Sequence, residues 1–182
     1  TGKYELTLKL FEIGSKVFEE LDLRKIARPY LEKLVETHQE TAHLVIPDGS
    51  EVIYIDKVES TRSIRICSQI GKRLPLHCTG VGKVILAYKN EEEITQIINN
   101  KGLQAYTKKT IAEHDTLLKE LERIRDNGYA IDDEEIEEGL KCIAAPIRDI
   151  NGNVIAAISV AGPTMRMTEE KNRQIVEDII VT

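Results

Sequence analysis

The stretch from Lys141 to Ala161 constrains the fold more than any other part of the chain. Two β-rich runs, Lys141–Arg148 and Val154–Ala161, flank Asn151-Gly152. Asn-Gly is the preferred two-residue hairpin turn, because both central positions of that turn take positive φ. With Ile150 facing Asn153, the register follows: Ala144 opposes Ser159 and Cys142 opposes Ala161. Side chains alternate between the two faces of a strand. One face therefore carries Ile143, Ala145, Ile147, Ala156, Ile158 and Val160, an ordinary surface for packing helices. The other carries Cys142, Ala144, Pro146, Ala157, Ser159 and Ala161, with nothing larger than proline. A face so small leaves volume that either a closely packed helix or a ligand must fill. The expectation is that it lines a cavity, with the Ser159 hydroxyl and the Cys142 thiol as polar handles among small walls.

The rest of the pattern places this hairpin in an α+β domain. Leu6, Leu10, Ile13, Val17 and Leu21 form one helical stripe over residues 4–21. Asp22 caps a second expected helix, 23–38, on the stripe Ile26, Tyr30, Leu34 and His38, with Pro29 predicting a kink or a late start. Strands are expected at 41–46 and 51–57 around Pro47-Asp48-Gly49-Ser50, and a third at 62–70. An apolar helix over 83–88, a helix over 91–99 capped by Asn90 with Glu93, and a helix over 115–127 ended by Gly128 come next. The final hairpin precedes a last helix from about Thr168. Helices, strands, helices and strands without regular βαβ alternation argue for an antiparallel sheet.

The chain has 182 residues, the size of a single domain, and 25 basic against 31 acidic side chains leave a net charge of −6. Asp132, Asp133, Glu134, Glu135, Glu137 and Glu138 account for that whole excess. Such a chain is a poor nucleic-acid binder by itself, since phosphate contacts need a basic surface. Asp132 is expected to turn inward and Asp133 to Glu138 to be mostly solvated. Cys67, Cys78 and Cys142 are too few and too widely spaced for a disulfide framework, which suits a reducing cytoplasm. No apolar run approaches the roughly 20 residues of a membrane span. The chain opens Thr1-Gly2-Lys3 and its only methionines are Met165 and Met167, so it is expected to be a piece of a longer protein or a processed product.

Cys78-Thr79-Gly80-Val81-Gly82-Lys83 is a Gly-x-Gly turn opening a helix. Free N–H groups there suit a carboxylate or phosphate, although the spacing matches neither a P-loop nor a dinucleotide fingerprint; it also reads as a plain tight turn. Two other chemistries are open at this level. Cys142 with His77 would make a nucleophile–base pair oriented by Asp132. His77, Cys78, Cys142 and Asp132 are also zinc-ligand types, but without paired-cysteine spacing. His38, His43 and His114 fall on element edges, with no special role expected.

These stretches together resemble the isocitrate lyase regulator (IclR) family of bacterial transcription regulators. The matching phrases are Tyr4–Gly14, Val52–Val58, Leu74–Lys83, Gly128–Pro146 and Ala156–Val160, in that order along nearly the whole chain. The resemblance implies a GAF-like effector-binding domain over residues 22–182, with 1–21 as a linker helix region. A winged helix-turn-helix DNA-binding domain precedes such domains in the family and lies outside this chain. It implies a small organic acid or sugar acid as effector, self-association into a homodimer or homotetramer, a cytoplasmic setting, no cofactor, no catalytic or metal site, and DNA contact only through the missing domain. Carried over by position, the effector contacts fall on Gly80, Val81, Asp132, Cys142 and Ser159, with Ile66 and Leu74 as apolar walls. Ala161 stands where some relatives have a second serine. The early segments are similar to the branch that responds to 2-keto-3-deoxygluconate. The alternative is a zinc-containing or catalytic GAF-like domain acting on a small carboxylic acid.

Overall fold

The computed structural model describes residues 7–20 and 22–182. Leu6, Leu21 and the side chain of Val17 lie outside what is described. Helices α1 (Leu8–Glu20) and α2 (Asp22–His38) come first, followed by the hairpin β1 (Thr41–Asp48) and β2 (Glu51–Val58). Then come β3 (Arg73–Pro75), α3 (Gly80–Ala87), α4 (Glu91–Lys101) and α5 (His114–Asn127). The chain closes with β4 (Ala130–Asp133), β5 (Leu140–Arg148), β6 (Val154–Pro163) and α6 (Glu169–Val181). All strand pairs are antiparallel in one six-stranded sheet of order β3-β2-β1-β6-β5-β4. This is the α+β architecture expected, an antiparallel sheet flanked by helices.

Each sheet face builds its own core. On one, Ile143, Ile158 and Val160 pack with Leu31 and Leu34 of α2 and Ile175 and Ile179 of α6. On the other, Ala144 and Ala157 pack with Val81, Val84 and Ile85 of α3 and Leu117, Leu121 and Ile124 of α5. Local signals fix the helix ends. Asn90 and Glu93 form a reciprocal capping box at the start of α4, and Gly128, at φ +79°, accepts the left-handed turn that ends α5. Thr168 caps α6 through the Lys171 N–H.

The hairpin register is as expected, with Cys142 opposite Ala161 and Ala144 opposite Ser159. Its turn is not. The Asp149 carboxylate accepts the N–H groups of Asn151 and Asn153, both at 2.9 Å, and a three-residue loop forms with Gly152 at φ +85°. Such a loop shifts the register by one. The shift is undone at Ile155, where Ile147 pairs Ala156 but Arg148 pairs Val154. The two departures cancel.

Three further expectations are corrected. Residues 62–70 form no strand: the Ile64 carbonyl is taken by Arg166 at 2.9 Å and the Ser68 carbonyl by Lys57, side-chain bonds that displace a ladder. The edge strand is β3, paired to β2. Strand β4, hidden in the acidic run, was not anticipated. In α2 the buried stripe is Ala27, Leu31, Leu34, Val35 and His38, while Ile26 and Tyr30 are exposed, because α6 and the sheet meet the neighbouring face of the helix. Pro29 sits inside α2, which runs through it.

Candidate functional site

The start of α3 is built on glycine. A Cβ on Gly82 would lie 2.5 Å from the Leu76 carbonyl oxygen, so no other residue fits there. A Cβ on Gly80 would meet Cys142 Sγ at 3.3 Å and Ala144 Cβ at 3.4 Å. The helix start therefore sits directly on the small-residue face of β5 and β6. Thr79 caps it, its hydroxyl accepting the Gly82 N–H at 3.1 Å. The N–H groups of Gly80 and Val81 meet no acceptor among the described residues. They are the positive end of the helix dipole, opening onto a cavity.

That cavity has a volume of ≈ 60 Å³. Six of the seven residues singled out from sequence line it: Ile66, Leu74, Gly80, Val81, Asp132 and Cys142. Ser159 does not. It lies one layer behind, 1% exposed, its hydroxyl 3.5 Å from His43 Nδ1. Ala161, on the small-residue face expected to line a cavity, does so, and the lining also includes His43, Tyr54, Cys67, Ser68, Lys72, Thr79, Ile136, Glu137 and Leu140, which were not anticipated as contacts. His43 is no edge residue. It lies on the central strand β1 opposite Ser159, with Nε2 2.9 Å from the Ser68 hydroxyl and its ring edge-on to Tyr54. Alternation along β1 puts residue 43 on the small-residue face once β1 is known to pair with β6, a long-range pairing that no local pattern announces. Residues 62–70 form the mouth rather than a strand.

The electrostatics of the cavity are set by burial. Asp132 is 1% exposed, and desolvation pushes its carboxyl up to about 7, against the N–H of Glu135 that it accepts at 2.8 Å. Burial pushes the Cys142 thiol up to about 12, so it is a thiol and not a thiolate. Burial likewise holds His43 neutral, lowered to about 3. Lys72 lies in the cavity wall. The cation that acts on Asp132 is Lys83, 1% exposed, which binds Glu135, the Ile131 carbonyl at 2.7 Å and Glu120 at 3.4 Å. Glu135 is therefore buried rather than solvated. Asp133 and Glu134 pair with Lys109, and Glu137 and Glu138 are exposed.

The arrangement does not assemble the alternative chemistries. His77 is held by the Gln104 carbonyl at 3.0 Å and lines a different cavity from Cys142. Among the described residues no three His, Cys, Asp or Glu side chains converge to hold a metal ion. What the cavity does offer is two amide donors, a carboxyl able to hold a proton, and hydroxyls from Tyr54 and Ser68, all suited to a small oxygen-rich anion.

Comparison with known proteins places the chain in a family. Residues 15–182 match the family model of the bacterial transcriptional regulator IclR C-terminal domain. The chain is 41% identical over 174 residues to the HTH-type transcriptional regulator KdgR of Escherichia coli K12, covering 96% of this chain and 66% of that protein. The chain thus spans just under two thirds of that relative's length. The crystal structure of the Thermotoga maritima IclR is 39% identical with a TM-score of 0.88, over 94% of this chain and 70% of that one. The C-terminal domain of E. coli KdgR is 37% identical with a TM-score of 0.80, over 88% of this chain and 93% of that one. No helix among the described residues is long and apolar enough to cross a membrane. The chain belongs to the IclR family of bacterial transcriptional regulators, and residues 15–182 are the C-terminal domain of that family.

Proposed function

We propose that this domain senses a small organic or sugar acid in the cytoplasm and passes its occupancy to a DNA-binding domain preceding residues 1–21, acting as a non-catalytic switch within a homodimer or homotetramer. The observation that carries the reading is the cavity in which two unpartnered helix-start amides face the buried Asp132. The effector carboxylate sits on the Gly80 and Val81 N–H groups. Its keto or hydroxyl oxygens meet Tyr54, Ser68 and Asp132, and Asp132 carries a proton so that two anions do not face each other. Cys142, Ile66 and Leu74 form the walls, and Ser159 orients His43 from behind. The likeness to KdgR supports a sugar acid of the 2-keto-3-deoxygluconate class. At ≈ 60 Å³ the cavity lies far below the roughly 300 Å³ of drug-sized pockets, so residues 62–70 must move outward to admit a six-carbon acid.

Titration calorimetry against pyruvate, galacturonate and 2-keto-3-deoxygluconate tests this. Saturable binding of at least one acid is expected, weakened about tenfold or more in Tyr54→Phe, Ser68→Ala or Asp132→Asn. Unchanged affinity in all three variants would place the ligand elsewhere. Turnover of a bound acid would overturn the non-catalytic reading.

A further inference from the structure

A second cavity of ≈ 210 Å³, larger than the first, lies on the other side of the segment Leu74–Thr79. Leu76, Leu86 and Ile97 contribute its apolar floor. Its rim carries Glu51 and Lys101, with Oε1 and Nζ 3.8 Å apart, and Arg73, outside the cavity lining, holds the other Glu51 oxygen at 3.4 Å. His77, 6% exposed, is also in the wall. Its Nε2 faces the Gln104 carbonyl, which can only accept, so Nε2 carries the hydrogen. Burial lowers the affinity of this ring for a second proton. Nδ1 is then a bare acceptor, and no described residue donates to it.

We propose that this second cavity binds an apolar α-amino acid, with its carboxylate on Lys101, its ammonium on Glu51 and His77 Nδ1, and its side chain on the Leu76–Leu86–Ile97 floor. A zwitterion replaces the long Glu51–Lys101 contact with a close partner for each charge and gives the bare imidazole nitrogen a donor. A plain acid leaves Glu51 facing the ligand's anion, and a plain amine leaves Lys101 facing its cation. Most of the floor is aliphatic, so the side chain is apolar.

The two cavities share structure. Leu74 and Thr79 line the first, Leu76 and His77 the second, and the Thr79 hydroxyl is bonded to the Pro75 carbonyl at 2.9 Å. Leu76 is wedged against Gly82, so it cannot shift without moving the start of α3. Occupation of the second cavity therefore alters the amides of the first, a consequence that rests on the effector reading above.

The test is methyl and amide NMR on this chain, with L-leucine and L-phenylalanine as probes and isovalerate and isoamylamine as single-charge controls. Saturable shifts are expected at Leu76, Leu86 and Ile97, with both controls about tenfold weaker. Glu51→Gln and Lys101→Ala, both at the rim where folding is not at risk, should each weaken leucine about fivefold or more, and Ser68→Ala should not. Absence of shifts up to the solubility limit of leucine would overturn the site, as would shifts centred on His43 and Asp132. Equal binding by either control would overturn the zwitterion assignment. Leucine is also expected to change the affinity for 2-keto-3-deoxygluconate at least about twofold, and unchanged affinity would overturn the coupling. The leucine shifts do not depend on keto-acid binding, so failure of the first reading leaves a separate signature.

Discussion

The two faces of the β5–β6 hairpin share one backbone and one register yet do different things. Ile143, Ile158 and Val160 seal against α2 and α6, each 3% exposed or less. Their alternates are small. At Ala144 and Ala157 the small side chains let α3 approach closely, and at Cys142 and Ala161 they leave a cavity. Close packing and a pocket are thus successive stretches of one face, divided where α3 begins at Gly80. Small side chains open that whole face, and the start of α3 decides which stretch becomes core and which becomes site.

The largest test of that contrast is Lys83, the bulky exception on the cavity side. Lys83→Met leaves Glu135 buried without its cation and should cost about 3–5 kcal/mol in urea unfolding. A loss below about 1 kcal/mol would show that the acidic loop is held by its backbone bonds instead. Next comes the sealed face. Ile143→Ala should cost roughly 2–5 kcal/mol, with ligand affinity unchanged once the protein is folded. Asp132→Asn should change the pH dependence. The Asp132 carboxyl is raised from 3.8 to about 7 in the fold, so the folded state holds a proton that the unfolded chain releases. Wild-type stability therefore falls as pH rises from about 4 to 7, and the variant should lack this slope and be more stable at pH 8 by about 4 kcal/mol. Parallel pH profiles of the two proteins would refute it. The smallest effect on stability is Ala161→Val, under about 1 kcal/mol, because the added methyls enter empty space. The same variant should weaken 2-keto-3-deoxygluconate binding at least about tenfold. Intact affinity would mean that the effector does not reach the Ala161 end.

Much of this contrast is legible in sequence because it is local. The hairpin register, the Asn90 cap and the Gly128 stop each follow from a few neighbouring residues. The recovered register is partly fortuitous, since the Asp149-bonded loop and the Ile155 bulge offset each other. What escaped is long-range. His43 joins the cavity through β1–β6 pairing, more than a hundred residues apart in sequence. Lys83 and Glu135 look like surface charges until α3 and the loop after β4 are placed side by side. The alternation at 62–70 imitates a strand but spans a mouth. Ser159 has the right face and the wrong depth, a distinction that periodicity does not carry.

The distribution of the three thiols has a practical consequence. Cys78 and Cys142 are buried, and both are pushed up to about 12, which keeps them from forming the reactive thiolate at neutral pH. Cys67 is exposed and stands in the mouth of the first cavity. A maleimide dye should therefore label this chain at one position without any engineered cysteine. Its emission would follow the opening and closing of residues 62–70, so the natural sequence already contains the attachment point for a fluorescent metabolite sensor.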